Sequence, residues 1–210
     1  MRKPILAGNW KMNKTAAEAV ELVAAMKEAL SEISGVEKVF CPPFMAIPDV
    51  ARLVSGTEFH VGAQNMYWEE SGAYTGECSP AMVREFCDYV IIGHSERRKY
   101  FGETDDTVSQ KIEAAFAHGL IPIVCVGETL ALRQADKTEP WVAGQVAAAL
   151  DGARRAYLGI SASPDHLLAA TVLATVAKAH GELDALVDMS QMTVSQMTAT
   201  STAESHQQRL

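Results

Sequence analysis

The sequence predicts an α/β fold of parallel strands joined by helices and, within that class, an incomplete (β/α)8 barrel with about five βα units recognisable. Three observations carry this expectation. Short apolar runs alternate five times with amphipathic stretches up to residue 152, the pattern of parallel strands linked by crossover helices. The first apolar run is followed by Gly8 alone rather than by a glycine-rich GxGxxG turn, which argues against an open dinucleotide-binding sheet. Polar residues stand just after several apolar runs, at Asn9, Lys11, His94 and Glu128, and a barrel gathers its functional residues at the C-terminal ends of its strands.

The first strand is expected over Pro4 to Trp10, a brief apolar run closed by Asn9 and Lys11. Thr15 and Glu18 form a capping box, and Ala19, Val23, Met26 and Leu30 follow at helical spacing until Gly35. Lys38 to Cys41 is the second strand, stopped by Pro42 and Pro43, with a short helix from Met45 to Val54 behind it. Glu58 to Gln64 is the third. The segment from Asn65 to Glu77 mixes Tyr67, Trp68 and Tyr74 with glycines and has neither period, the composition of a functional or docking loop. Ser79-Pro80 starts a helix that turns Met82, Val83 and Phe86 inward. Tyr89 to Ile92 is the fourth strand, apolar on both faces. Thr104 caps a helix with Val108, Ile112, Ala115 and Phe116 as its stripe, ended by Gly119. Leu120 to Val126 is the fifth strand, and Thr138 caps a helix carrying Val142, Val146 and Leu150 to a stop at Gly152.

The expected domain layout is βα units over 1–152, a helical segment over 153–187, and a polar, disordered tail over 188–210. In the second of these, Ser163-Pro164-Asp165 opens a helix with Leu168, Val172, Val176 and Ala179 on one face. The net charge of −8 argues against nucleic acid and anionic membrane surfaces, so a phosphate-bearing ligand needs a local cation. Cys41, Cys78, Cys87 and Cys125 have no CxxC or zinc spacing, so reduced thiols, no structural metal and a cytoplasmic location are expected. No signal peptide or membrane-spanning run is expected either.

His94 sits between an apolar strand and a helix start, with Ser95 as the expected N-cap, Glu96 in the first turn, and Arg97 and Arg98 adding charge. A helix start offers unpaired backbone N–H groups and a partial positive charge, which suit an anion and a neutral imidazole. The residues alone leave open whether His94 is functional or an ordinary loop histidine.

Four stretches in register carry a resemblance. They are Ala7 to Asn13 (AGNWKMN), Gly72 to Glu77 (GAYTGE), Ile92 to Arg98 (IGHSERR) and Cys125 to Glu128 (CVGE), and together the chain resembles the triosephosphate isomerases from residue 1 to about 152. The resemblance implies a TIM-type barrel and a homodimer without cofactor or metal. It implies interconversion of dihydroxyacetone phosphate and D-glyceraldehyde 3-phosphate through an enediolate, in glycolysis and gluconeogenesis. By motif position, Asn9 and Lys11 would hold the substrate and His94 would be the electrophile. This family is the standard example of a neutral imidazole polarising a carbonyl. Glu96 would support Lys11, and the loop around Thr75 would reach the partner subunit's site. Nucleic acid and membrane partners are not implied.

The resemblance is expected to end near residue 152, because no Tyr-Glu-Pro-Val-Trp type of segment supplies the base that proton abstraction beside a carbonyl needs. Glu139, behind Thr138 and before Pro140, is a helix-start residue. Glu182 is the remaining candidate base, while His166, His180 and His206 are surface residues without partners at ligand spacing. Two functions therefore stay open: the isomerase, and a catalytically impaired fragment or chimaera acting as a dimerising or phosphate-ligand-binding module.

Overall fold

The computed structural model describes residues 3–159. In them β1 (Ile5–Asn9), β2 (Glu37–Cys41), β3 (Phe59–Ala63), β4 (Tyr89–Ile92) and β5 (Ile121–Val124) form one sheet in the order β1-β2-β3-β4-β5. Every neighbouring pair is parallel, with Asn9 opposite Cys41, Val39 opposite His60, Gly62 opposite Tyr89, and Ile92 opposite Val124. Sequential parallel order is the arrangement of a (β/α)8 barrel, in which each strand lies beside its sequence neighbour.

The strands divide two cores between their faces. Val39, Cys41, Tyr89 and Ile91 are buried on one face with Ala7, Ile121, Ile123 and Cys125 packed against them, and these are the inward positions. Val61, Ala63, Val90 and Ile92 point the other way, into a larger core shared with the helices. Alternation along each strand produces both layers, because successive side chains leave opposite faces.

The helices are α1 (Ala16–Ser31), α2 (Ile47–Val54), α3 (Pro80–Arg84), α4 (Ser95–Tyr100), α5 (Asp105–Ala117), α6 (Leu130–Gln134) and α7 (Thr138–Gly159), with a 3-10 turn at Phe44–Ala46 before α2. Two capping boxes fix helix starts: Thr15 with Glu18 for α1, and Thr104 with Thr107 for α5. Each satisfies two otherwise unpaired N–H groups, which is why these starts were legible. The Ser79 hydroxyl accepts from Met82 N and caps α3.

Several expectations are corrected. Ser95 does not cap α4; the N-cap is His94, whose ring accepts from Glu96 N. Of the three residues expected inward at α3, only Val83 is buried, while Met82 and Phe86, the latter just past the helix end, are exposed, because the helix is too short to present a full apolar stripe. Short α6, capped by Thr129, was not anticipated. The last described helix does not stop at Gly152 but continues to Gly159. Gly152 instead lies where α7 presses on α5: a Cβ there would meet the Ser109 carbonyl oxygen at 2.4 Å. Its missing side chain is a packing device rather than a terminator. The helix expected from Ser163, the tail from Asp188, Glu182, His166, His180 and His206 all lie outside the described residues.

Candidate active site

The site is assembled just beyond the C-terminal ends of β1, β3 and β4. Asn9 ends β1, and its Oδ1 accepts from Lys11 N at 3.0 Å. This local bond turns the chain sharply and leaves Lys11 at φ +54°, a left-handed conformation that a side chain bearing Cβ seldom adopts. Gln64, immediately after β3, holds the turn from the other side. Its Nε2 donates to the Lys11 carbonyl at 3.0 Å and to the Cys41 carbonyl at 2.9 Å. An unfavourable backbone angle fixed by two independent side chains is a mark of functional constraint.

The Lys11 ammonium reaches across to Glu96, with Nζ to Oε1 at 2.9 Å. The other carboxylate oxygen of Glu96 lies 3.6 Å from His94 Nδ1. One carboxylate thus stands between the cation from β1 and the imidazole from β4. His94 Nδ1 also accepts from Glu96 N at 3.3 Å. An Nδ1 that accepts carries no proton, so the ring proton of this tautomer is on Nε2. Four sequence-predicted residues, Asn9, Lys11, His94 and Glu96, are therefore brought together.

Thr75 lies in the long connection that follows β3. It is exposed in the aromatic loop, where Tyr67 stacks on Trp68 at 4.0 Å and meets Tyr74 at 4.6 Å. Tyr67 N donating to Cys78 O at 2.8 Å ties the two ends of the loop together. Glu128, after β5, does not join Lys11 and His94. It accepts from Arg133 Nε at 2.7 Å and from Thr138 Oγ1 at 3.2 Å, and these bonds, Arg133 first, hold its carboxyl below the usual carboxylate range. Glu139 is exposed in the first turn of α7.

Sequence reasoning missed a buried polar network behind His94. Glu103 Oε2 accepts from Gly93 N at 3.2 Å, its carboxylate pairs with buried Lys111, and Lys111 Nζ donates to Asn65 Oδ1 at 2.7 Å. Burial lowers the Lys111 pKa, with the bond to Glu103 opposing. Arg98 Nε donates to Gly93 O at 2.8 Å and its NH1 pairs with Asp105 at 2.6 Å. No local pattern announces such a network, since its members come from separate loops and helices; a Lys and a Glu eight residues apart look like two surface charges. Among the described residues no cluster of three or more His, Cys, Asp or Glu is arranged to hold a metal, and no helix is long and apolar enough to cross a membrane.

Comparison with known proteins identifies a family. The sequence model of the triosephosphate isomerase family matches residues 4–201. The triosephosphate isomerase of Dehalococcoides mccartyi is 46% identical over 183 residues, which are 87% of this chain and 73% of that protein. That of Lactobacillus delbrueckii subsp. lactis is 51% identical over 152 residues, covering 72% of this chain and 60% of the relative. Among solved structures, the Bartonella henselae triosephosphate isomerase matches with TM-score 0.67 and 35% identity, over 70% of this chain and 62% of its own. The chain thus spans roughly three fifths to three quarters of the length of these relatives. The expected end of the resemblance near residue 152 is overturned, because the family match continues to residue 201.

Proposed function

The chain belongs to the triosephosphate isomerase family, a family of isomerases, and on that premise we propose that it interconverts dihydroxyacetone phosphate and D-glyceraldehyde 3-phosphate by proton transfer through an enediolate. The observation that carries the proposal is the Glu96 carboxylate lying against both Lys11 Nζ and His94 Nδ1. A carbonyl whose neighbouring carbon is to lose a proton needs positive charge or a hydrogen-bond donor at its oxygen. His94 Nε2–H is that donor, and Lys11 supplies a local cation for an anionic substrate in a chain of net charge −8. Asn9 shapes the turn that presents Lys11, and Glu96 holds the Lys11 side chain. No base is assigned among the described residues. The module reading loses its ground, since the family match does not stop where a replaced segment was expected.

The subunit arrangement belongs to the same proposal. Met12 and Met45 are 96% and 85% exposed, and Tyr74, Tyr100 and Phe101 are exposed too. All five lie in the connections that follow the C-terminal ends of β1, β2, β3 and β4, Met45 in the 3-10 turn and Tyr100 at the end of α4. Apolar side chains of this size at one end of a sheet suit an interface between copies, with Thr75 among them. The proposed enzyme is a cytoplasmic homodimer in glycolysis and gluconeogenesis, needing neither cofactor nor metal, with residues 1–152 as its βα units.

Conversion of D-glyceraldehyde 3-phosphate by purified protein, coupled to reduction of the product, tests the activity. Turnover that falls by about 10²–10⁴-fold in His94→Gln is the expected result, the usual contribution of a positioned proton-handling side chain. Turnover unchanged by that substitution, or none in the unaltered protein, refutes it.

A further inference from the structure

We infer that Glu103, held by its buried partner Lys111, is a positioning residue for His94, acting through the backbone of Gly93. The inference rests on the reading of His94 as the electrophile. Three observations carry it. Gly93 has φ +76°, and a Cβ there would lie 3.1 Å from Arg98, the Cys125 carbonyl and Val108, so the residue before His94 has one conformation open to it and little room to leave it. Both polar groups of Gly93 are held by side chains: the N–H by Glu103 at 3.2 Å and the carbonyl by Arg98 at 2.8 Å. That carbonyl belongs to the peptide unit from which His94 continues, so the imidazole is carried on a peptide fixed from two sides.

The third observation is the cost of the arrangement. Glu103 and Lys111 have side chains only 3% and 5% exposed, and Arg97 Nε approaches the same carboxylate at 3.6 Å. A buried ion pair contributes little to stability when apolar groups of the same volume could replace it. The geometry it imposes explains its presence better than the energy it supplies. Through Asn65 the pair also reaches the start of the aromatic loop after β3, and through Glu103 N donating to Arg97 O at 3.3 Å it reaches α4. Three segments around the site are therefore tied to the Glu103–Lys111 pair: Gly93 through the carboxylate, Asn65 through Lys111, and α4 through the Glu103 backbone. Glu103 touches no substrate; it acts through Gly93.

Two double variants of the whole chain test this. Glu103→Leu with Lys111→Met removes both charges and the acceptor for Gly93 N, while Glu103→Gln with Lys111→Met removes the charges but leaves an amide oxygen to accept. The readouts are thermal melting, the ring ¹⁵N resonances of His94, identified by their loss in His94→Gln, and kcat and KM separately. The Leu/Met variant is expected to shift the His94 resonances and lower kcat by about 10–100-fold with KM within about threefold, the scale of a catalytic group displaced by up to about 1 Å. The Gln/Met variant is expected to keep the resonances and kcat near those of the unaltered protein. His94 resonances unmoved in the folded Leu/Met variant, or moved equally in both, overturn the inference. If the Leu/Met variant does not fold, the Gln/Met variant decides alone: retained His94 resonances support positioning and shifted ones refute it. If the unaltered protein shows no turnover, the isomerase reading fails, yet the resonances still decide whether Glu103 places the ring.

Discussion

Lys11 shows how a single residue can be expendable for the fold and indispensable for the proposed reaction. Its ion pair with Glu96 is partly exposed, at 31% and 44%, and such pairs are worth about 0–1 kcal/mol. Lys11→Met is therefore expected to leave the unfolding free energy, measured in urea, within about 1 kcal/mol of the original. Turnover should fall on the order of 10²–10³-fold, as when one donor to a developing oxyanion is lost. A large loss of stability alongside the activity would mean that the residue's role is structural. Cys41 and Cys87 make the opposite case. Burial pushes both thiols up to about 12, so neither should be alkylated by iodoacetamide at pH 8 in the native protein, and both should be in urea; mass spectrometry of the peptides reads the difference. At this scale the sequence revealed Asn9, Lys11, His94 and Glu96, because each follows a strand in a recognisable local pattern. It hid Gln64 and Glu103, whose hydrogen bonds go to carbonyls and an amide that only the folded chain brings near.

Helix starts that carry a capping box were legible, whereas the cap of α4 and the end of α7 were not, for a physical reason. A capping box is a contact within four residues, so Thr15 and Glu18 or Thr104 and Thr107 announce themselves. Thr15→Ala is expected to cost about 1 kcal/mol, the usual value of a lost N-cap, measured by urea denaturation. Gly152 has no local contact that distinguishes a terminator from a packing glycine, and the answer lies in Ser109 of another helix. Gly152→Ala should destabilise the α5–α7 contact by about 1–3 kcal/mol, the typical penalty for overpacking, even though alanine is the better helix former. A stabilised variant would show that the two helices separate readily. Met82 and Phe86 were assigned inward by spacing alone, and a single turn of helix gives spacing too little length to discriminate.

For the molecule as a whole, the acid limb of stability depends in part on Glu128. Its folded-state pKa is lowered, chiefly by Arg133. The contribution is therefore present above the unfolded value of about 4.3 and is lost as pH falls through the lower folded value. The difference in unfolding midpoint between the unaltered protein and Arg133→Ala should be measurable at pH 7 and close as pH drops below about 4. A difference independent of pH would assign Arg133 a packing role. The barrel class was legible because alternation of strand and helix is a property of the whole chain, sampled five times before residue 152. The reach of the family match beyond that point was not, since the residues there lack the motifs by which the eye recognises the family.

The strand order has a kinetic consequence. Because β1 through β5 pair strictly with their sequence neighbours, each new strand needs only the one made before it, and no pairing waits for a distant partner. The connections between paired strands run from 17 to 28 residues, and because closure entropy grows only with the logarithm of length, its cost differs little from step to step. During synthesis the sheet is expected to grow from β1 outward as the ribosome releases each unit. Pulsed hydrogen exchange on stalled nascent chains would then show protection of β1 and β2 amides before β4 has emerged.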